Sequence, residues 1–144
     1  MEESTFSRVW FITGTSTGFG YVLAEEALKR GERVIATARD VSKLSRLARQ
    51  YPDHIHTLKL DVTNPNEITS IAQRGLAAFG HVDILVNNNA GYGVNSAIEE
   101  VSEDEFEPMF QTNIYGLIRV PAPSCRIFVS AAADISSICP PSAD

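Results

Sequence analysis

The chain has 144 residues, 44% of them hydrophobic, with a formal net charge of −6 and a mean hydropathy of −0.05. That length and composition suit one modest soluble domain, in which a compact chain buries about two-thirds of its unfolded surface. The acidic balance, without a basic cluster, argues against a nucleic-acid partner. No apolar run nears the roughly 20 residues needed to span a membrane, and the acidic start Met1-Glu2-Glu3-Ser4 has no signal-peptide pattern, so a cytoplasmic location is expected.

Val9 to Thr13 is an apolar, β-prone run that stops at Gly14. Thr15, Ser16, Thr17, Gly18, Phe19 and Gly20 follow, and from about Gly18 to Arg30 the pattern is helical, with Val22, Leu23, Ala27 and Leu28 as its apolar face and Gly31 as its stop. Strand, glycine-rich turn and helix start in this order suit a diphosphate. The glycines admit close backbone approach, and the helix N-terminus offers unpaired N–H groups and a positive dipole end. The competing reading is an ordinary tight turn, since three glycines alone are a weak motif.

Val34 to Ala38 reads as a short buried strand, and Val41 to Gln50 as a helix with Leu44, Leu47 and Ala48 inward. Ile55 to Leu60 is a third strand. Asn64-Pro65 then starts a helix, with Asn as N-cap and Pro in the first turn; it carries Ile68, Ile71, Ala72, Leu76 and Phe79 and ends at Gly80. Val82 to Val86 is a fourth strand. Ser102 and Glu105 form a capping box for a helix with Phe106, Phe110, Ile114 and Leu117 along one side. Strands alternating with helices predict an α/β fold, a doubly wound parallel sheet of Rossmann type, incomplete at about four to five strands.

Three further positions join the glycine turn. Arg39 follows the second strand, where an acidic residue bonds the ribose 2′-OH of NAD and an arginine pairs with the 2′-phosphate of NADP, so NADP is favoured over NAD. The competing reading pairs Arg39 with Asp40 or Glu32 on the surface. Asp61-Val62 ends the third strand, placing a carboxylate where it can accept from an adenine amino group or simply form a turn with Thr63. Asn87-Asn88-Asn89-Ala90-Gly91 ends the fourth strand, on the side where such sheets bind ligands.

Together these residues resemble the short-chain dehydrogenase/reductase family. Thr13 to Gly20 match TGxxxGxG, Asp61 matches the adenine-side aspartate, Asn88 to Gly91 match NNAG, and Asn113 matches the asparagine of the following helix, all in order over roughly residues 7 to 120. The resemblance implies NAD(P)-dependent hydride transfer between an alcohol and a carbonyl substrate. It also implies a dimer or tetramer with the Ser102-capped helix at a subunit interface. Gly14, Ser16, Gly18, Phe19 and Gly20 are then expected on the diphosphate side, Arg39 at the 2′-phosphate, Asp61 and Val62 at the adenine, and Ala90 and Gly91 along the nicotinamide ribose, with Thr15, Asn88 and Asn89 also binding the cofactor. No metal site is expected. His54, His56 and His81 read as surface residues, and Cys125 and Cys139 have neither metal-ligand spacing nor the look of a disulfide framework.

Two departures stand out. The family carries two asparagines before the alanine and this chain has three, which predicts a bulge or a shifted turn. The family's catalytic set is Asn, Ser, Tyr and Lys, with Tyr and Lys as Y-x-x-x-K. The 144 residues contain no such motif, no tyrosine after Tyr115 and no lysine after Lys59, leaving Asn113 as the one matched catalytic-set residue and predicting an inactive chain. Residues 1–120 therefore read as a partial NAD(P)-binding domain and residues 121–144 as an atypical, irregular tail. Reading each tail codon one base earlier permits T-R-A-V-L-P-H-L-R-Q-R-R-S-G-H-I-I-N, then Leu or Met, then S-S, which suits the family's next helix, turn and serine-bearing strand. A frameshift is the favoured account. The alternative is a deletion that makes Arg126 to Ser130 the fifth strand, with Ser130 as the family serine. The missing elements predict an exposed sheet edge, and bare faces beside the fourth strand, that invite homo-oligomers or aggregation.

Overall fold

The computed structural model describes residues 7–88, 93, 97 and 99–131. Four parallel strands, β1 (Val9–Ile12), β2 (Arg33–Ala38), β3 (Ile55–Lys59) and β4 (Ile84–Val86), form one sheet in the order β3-β2-β1-β4. Register is continuous: Phe11 stands beside Ile35 and Leu85, and Ala38 beside Lys59. Central parallel strands are covered on both faces and so read as unbroken apolar runs. Val9, Ile12, Val34, Ile35 and Ala36 are accordingly fully buried.

One face carries α1 (Gly18–Lys29), a 3₁₀ turn (Val41–Leu44) and α2 (Ser45–Gln50), whose Ala24, Ala27, Leu28, Leu44 and Leu47 pack with Ile12, Val34 and Ala36. The expected single helix over 41–50 is thus a 3₁₀ turn followed by α2, its first turn tightened as Asp40 caps Ser42. Of the expected apolar face of α1, Ala27 and Leu28 are buried and Leu23 packs against the core, whereas Val22 is exposed; Gly20 and Ala24 complete the buried side.

The other face carries α3 (Pro65–Phe79) and, from the far end of the described chain, α6 (Pro121–Ala131). Asn64 caps α3 through Oδ1, accepting from the Asn66 amide at 3.2 Å, and Gly80 ends it in the left-handed region at φ 80°. Ile68, Ile71 and Ala72 of α3 meet Val120 and Phe128 over Phe11, Ile35 and Leu58.

The α6 helix corrects the expectations for the tail. Residues 121–131 are helical rather than irregular, and Arg126–Ser130 is part of that helix rather than a fifth strand. Proline tolerates the first helical turn, where its missing N–H has no partner to lose, so Pro121 and Pro123 sit at the start without breaking α6. Phe128 packs its ring 5.4 Å from that of Phe11. The sheet face expected to be bare beside β4 is therefore covered on this side. Cys125 is disulfide-bonded, although the cysteine spacing does not have the look of a disulfide framework.

Between β4 and α6 the chain forms α4 (Glu103–Phe110), a π-helical turn (Gln111–Tyr115) and α5 (Gly116–Arg119). The Ser102–Glu105 capping box opens α4: Glu105 Oε2 accepts from the Ser102 amide at 2.8 Å and from its hydroxyl at 2.9 Å. Those two hydrogen bonds hold the Glu105 carboxyl below its ordinary pKa. Pro108 lies inside α4, and the widened turn begins three residues later.

Candidate functional site

A cleft opens at the C-terminal end of the sheet, where parallel α/β folds gather their ligands. Gly14, Ser16 and Thr17 form its near wall, Thr37, Ala38 and Arg39 the wall from β2, and Leu60, Asp61, Val62 and Thr63 the wall from β3, with Thr112 reaching in from the π-helical turn.

Local chemistry explains the turn. Gly14 (φ 65°) lies so close to the end of β4 that an added Cβ would sit 2.0 Å from the Asn88 carbonyl oxygen. A Cβ on Gly20 would sit 2.3 Å from the Gly14 carbonyl oxygen and 2.5 Å from Asn88 Nδ2. Both glycines are therefore demanded by the packing of turn, helix and strand end against one another. Asn88 Nδ2 donates to the Gly14 carbonyl at 3.1 Å, and the Thr13 amide donates to the Val86 carbonyl at 3.0 Å. The β1–β4 register runs unbroken through Val86, and the stretch expected to bulge or shift the turn runs on to Asn89, outside the described residues. Asn87 reaches the other way, its Nδ2 donating to the Leu117 carbonyl at 2.8 Å.

The N-terminus of α1 is left open. Asp40 and Asn64 cap the turns they precede with side-chain oxygens, whereas Thr17 is extended (φ −155°) and makes no side-chain cap. Among the described residues the first amides of α1 thus keep their donors beside the cleft. Arg39 is exposed on the opposite wall. Its two expected surface partners are engaged elsewhere: Asp40 Oδ1 accepts from the Ser42 amide and hydroxyl, and Glu32 is held by Arg8 and Trp10. Among the described residues no carboxylate lies within ion-pair distance of Arg39.

Asp61 Oδ1 accepts from the Thr63 hydroxyl at 2.6 Å and from its amide at 2.9 Å. The Thr63 hydroxyl, then the Thr63 amide and the charges of Arg39 and Lys59, hold the Asp61 carboxyl below its ordinary pKa against the opposing effect of partial burial. It is an anion and a turn-former at once.

Of the expected contact residues, Gly14, Ser16, Arg39, Asp61 and Val62 line the cleft. Thr15 is buried behind it, and Phe19 points to solvent with 71% of its surface exposed. Gly18, Gly20 and Asn88 shape the turn from outside the wall, and Asn89, Ala90 and Gly91 lie outside the described residues. Asn113 is half-buried on the π-helical turn, next to Thr112. The wall residues Thr17, Thr37, Ala38, Leu60, Thr63 and Thr112 are not among those expected from the sequence. All but Thr112 adjoin expected residues in the glycine turn or at the ends of β2 and β3, so position alone could have found them. Thr112 depends on how α4 folds back, which no local pattern reports. Among the described residues there is no cluster of His, Cys, Asp and Glu able to hold a metal ion, and no helix long and apolar enough to cross a membrane.

The family model for short chain dehydrogenase matches residues 8–137, and the chain belongs to that family. A curated relative, oxidoreductase BOA17 of Botryotinia fuckeliana, is 36% identical over 115 residues, covering 79% of this chain and 42% of its own. A solved short-chain dehydrogenase from Streptomyces avermitilis is 38% identical with a TM-score of 0.79, over 90% of this chain and 47% of the other. A short-chain dehydrogenase/reductase from Burkholderia phymatum in complex with NAD is 27% identical with a TM-score of 0.78, over 86% and 45% of the two chains. An alcohol dehydrogenase from Thermococcus sibiricus, complexed with 5-hydroxy-NADP, is 30% identical with a TM-score of 0.74, over 86% and 52%. This chain spans about half the length of the relatives it matches. The fold is the Rossmann-type sheet with flanking helices of this family, incomplete relative to the full domain.

Proposed function

We propose that this chain is the cofactor-binding portion of an NADP(H)-preferring short-chain dehydrogenase/reductase. The whole enzyme would pass a hydride between the nicotinamide and a small-molecule alcohol or carbonyl substrate. The observation that carries the reading is one cleft shared by the uncapped N-terminus of α1 and an arginine with no carboxylate within ion-pair distance among the described residues. Both features suit a phosphorylated ligand: amides at a helix start take a diphosphate, and a guanidinium takes a phosphate monoester. Solved neighbours carry either NAD or 5-hydroxy-NADP, so in this reading Arg39 makes the choice. Gly14, Ser16 and the α1 amides hold the diphosphate, Asp61 and Val62 flank the adenine, and Asn88 to Gly91 continue towards the nicotinamide.

The 144 residues by themselves are proposed to be inactive. Proton transfer to or from the substrate oxygen needs a positioned acid whose pKa suits the task, and neither the tyrosine nor the lysine of the family's pair is present. Asn113 alone cannot supply that proton. The tail beyond Val120 is proposed to be read out of frame from a dehydrogenase coding sequence; the neighbouring frame should continue into a serine and a Tyr-x-x-x-Lys when the gene is sequenced past Asn113. A location in the cytoplasm is part of the same reading. Self-association is favoured by Phe106, Phe110, Ile114, Leu117 and Ile118, all exposed; light scattering of the purified chain checks it.

A ligand that binds only the folded state must raise its stability. NADPH should therefore raise the melting temperature of the chain in a concentration-dependent way. No change at saturating NADPH sinks the binding reading, and turnover of any member of a broad carbonyl panel sinks the claim of inactivity.

A further inference from the structure

We propose that Thr15 is a positioning residue that fixes the glycine-rich turn to the end of β2, and thereby sets the preference for a dinucleotide bearing a 2′-phosphate. The inference rests on the cofactor-binding reading above. Thr15 is a polar residue with none of its surface exposed, and it stands behind the cleft rather than in its wall. Its hydroxyl donates to the Thr37 carbonyl at 2.9 Å, and its amide donates to the same oxygen at 3.1 Å. Thr37, 1% exposed, donates its own hydroxyl to the Ile12 carbonyl at 3.4 Å.

A turn that only had to stop β1 would be closed by the amide alone. The hydroxyl adds a second strut to the same acceptor, two residues before Arg39 on the same strand end. On its other side the turn is held to β4 by Asn88. A nucleotide that engages the α1 amides and Arg39 together depends on the separation of turn and strand; one that engages only the amides does not. Thr15 thus acts through Thr37 on a contact it does not make itself.

The test keeps the fold and removes the strut. In T15V the Thr37 carbonyl retains the residue-15 amide as donor, so no buried acceptor is orphaned. NADPH and NADH are titrated calorimetrically into the wild-type chain, T15V and T15S, with the melting temperature of each ligand-free protein as control. The expected result is an NADPH affinity reduced about fivefold in T15V, the size of one neutral hydrogen bond. NADH affinity should be almost unchanged, the ligand-free melting temperature should stay near wild type, and T15S should restore the NADPH/NADH ratio. A T15V protein with the wild-type ratio overturns the inference while leaving the binding reading intact. A wild-type chain that binds neither nucleotide overturns the binding reading, and this inference with it. Should T15V not fold, T15A removes the same hydroxyl without placing a second methyl on the buried wall. Failure of both to fold also overturns the inference, because the hydroxyl would then serve the fold alone.

Discussion

The sheet built on β1, β2 and β3 and the stretch from α4 to α5 both carry large apolar residues, which meet different surroundings. Val9, Ile12, Val34 and Ile35 are fully buried between helices on both faces, whereas Phe110 and Ile114 each keep 41% of their surface exposed and Ile118 keeps 61%. The first region is closed on one face by α1 and α2 and on the other by α3 together with α6 from the far end of the described chain. The second carries an apolar side with nothing among the described residues packed over it. Periodicity reports that a helix has an apolar face; it does not report what covers that face.

The comparison breaks most readily at α6, which joins the two regions. Phe128→Ala removes the ring packed on Phe11 and should cost about 3–5 kcal/mol by denaturant unfolding. The exposed Phe110→Ala should stay within about 0.5 kcal/mol of wild type. Equal costs for the two would mean that α6 does not complete the core. Next in size is Gly14→Ala, whose new Cβ meets the Asn88 carbonyl in the left-handed region, an overpacked and strained site worth about 3 kcal/mol. Gly18→Ala has the same sign of φ but open space, so only the conformational cost of about 1–2 kcal/mol is expected. Both are read from thermal or urea unfolding.

Smaller effects sharpen the contrast within the site. Arg39→Ala should weaken NADPH about tenfold or more, as loss of a charge-assisted contact does, and leave NADH almost unchanged; a parallel loss for both nucleotides would place Arg39 away from the 2′-phosphate. Asn64→Ala removes the α3 cap and should cost about 1 kcal/mol, visible as a shifted urea midpoint with unchanged slope.

The smallest effect is that of pH on Asp61. Its folded-state pKa lies below the unfolded one, so its contribution is present above the unfolded value, near about 3.9, and is lost as pH falls through the lower folded value. Asp61→Asn should lower stability at neutral pH and flatten the acid limb of the stability profile. An acid limb identical to wild type would show that the Thr63 hydrogen bonds contribute nothing through charge.

Much of the fold was legible in the chain. The Asn64-Pro65 start and the Ser102–Glu105 box are local signals whose hydrogen bonds close within a few residues, and the glycine stop after Thr13 is a local break in an apolar run. The site was partly legible for the same reason, since its walls are strand ends. What stayed hidden depends on distant packing. The burial of Gly20 on α1 follows from how it nests against Gly14 and Asn88, and Thr112 reaches the cleft from a turn far along the chain. The helix at 121–131 was obscured because its prolines suggest a break and Arg126 to Val129 suggest a strand. Burial of Val120 and Phe128 against α3 and the sheet overrides both local preferences.

The central claim is that one cleft, floored by the glycine turn and walled by Arg39, holds a 2′-phosphorylated nicotinamide dinucleotide. Isothermal titration of the wild-type chain with NADPH and, separately, NADH tests it most directly. The account predicts one site per chain and tighter binding of NADPH. No heat with either nucleotide, or tighter binding of NADH, would contradict it.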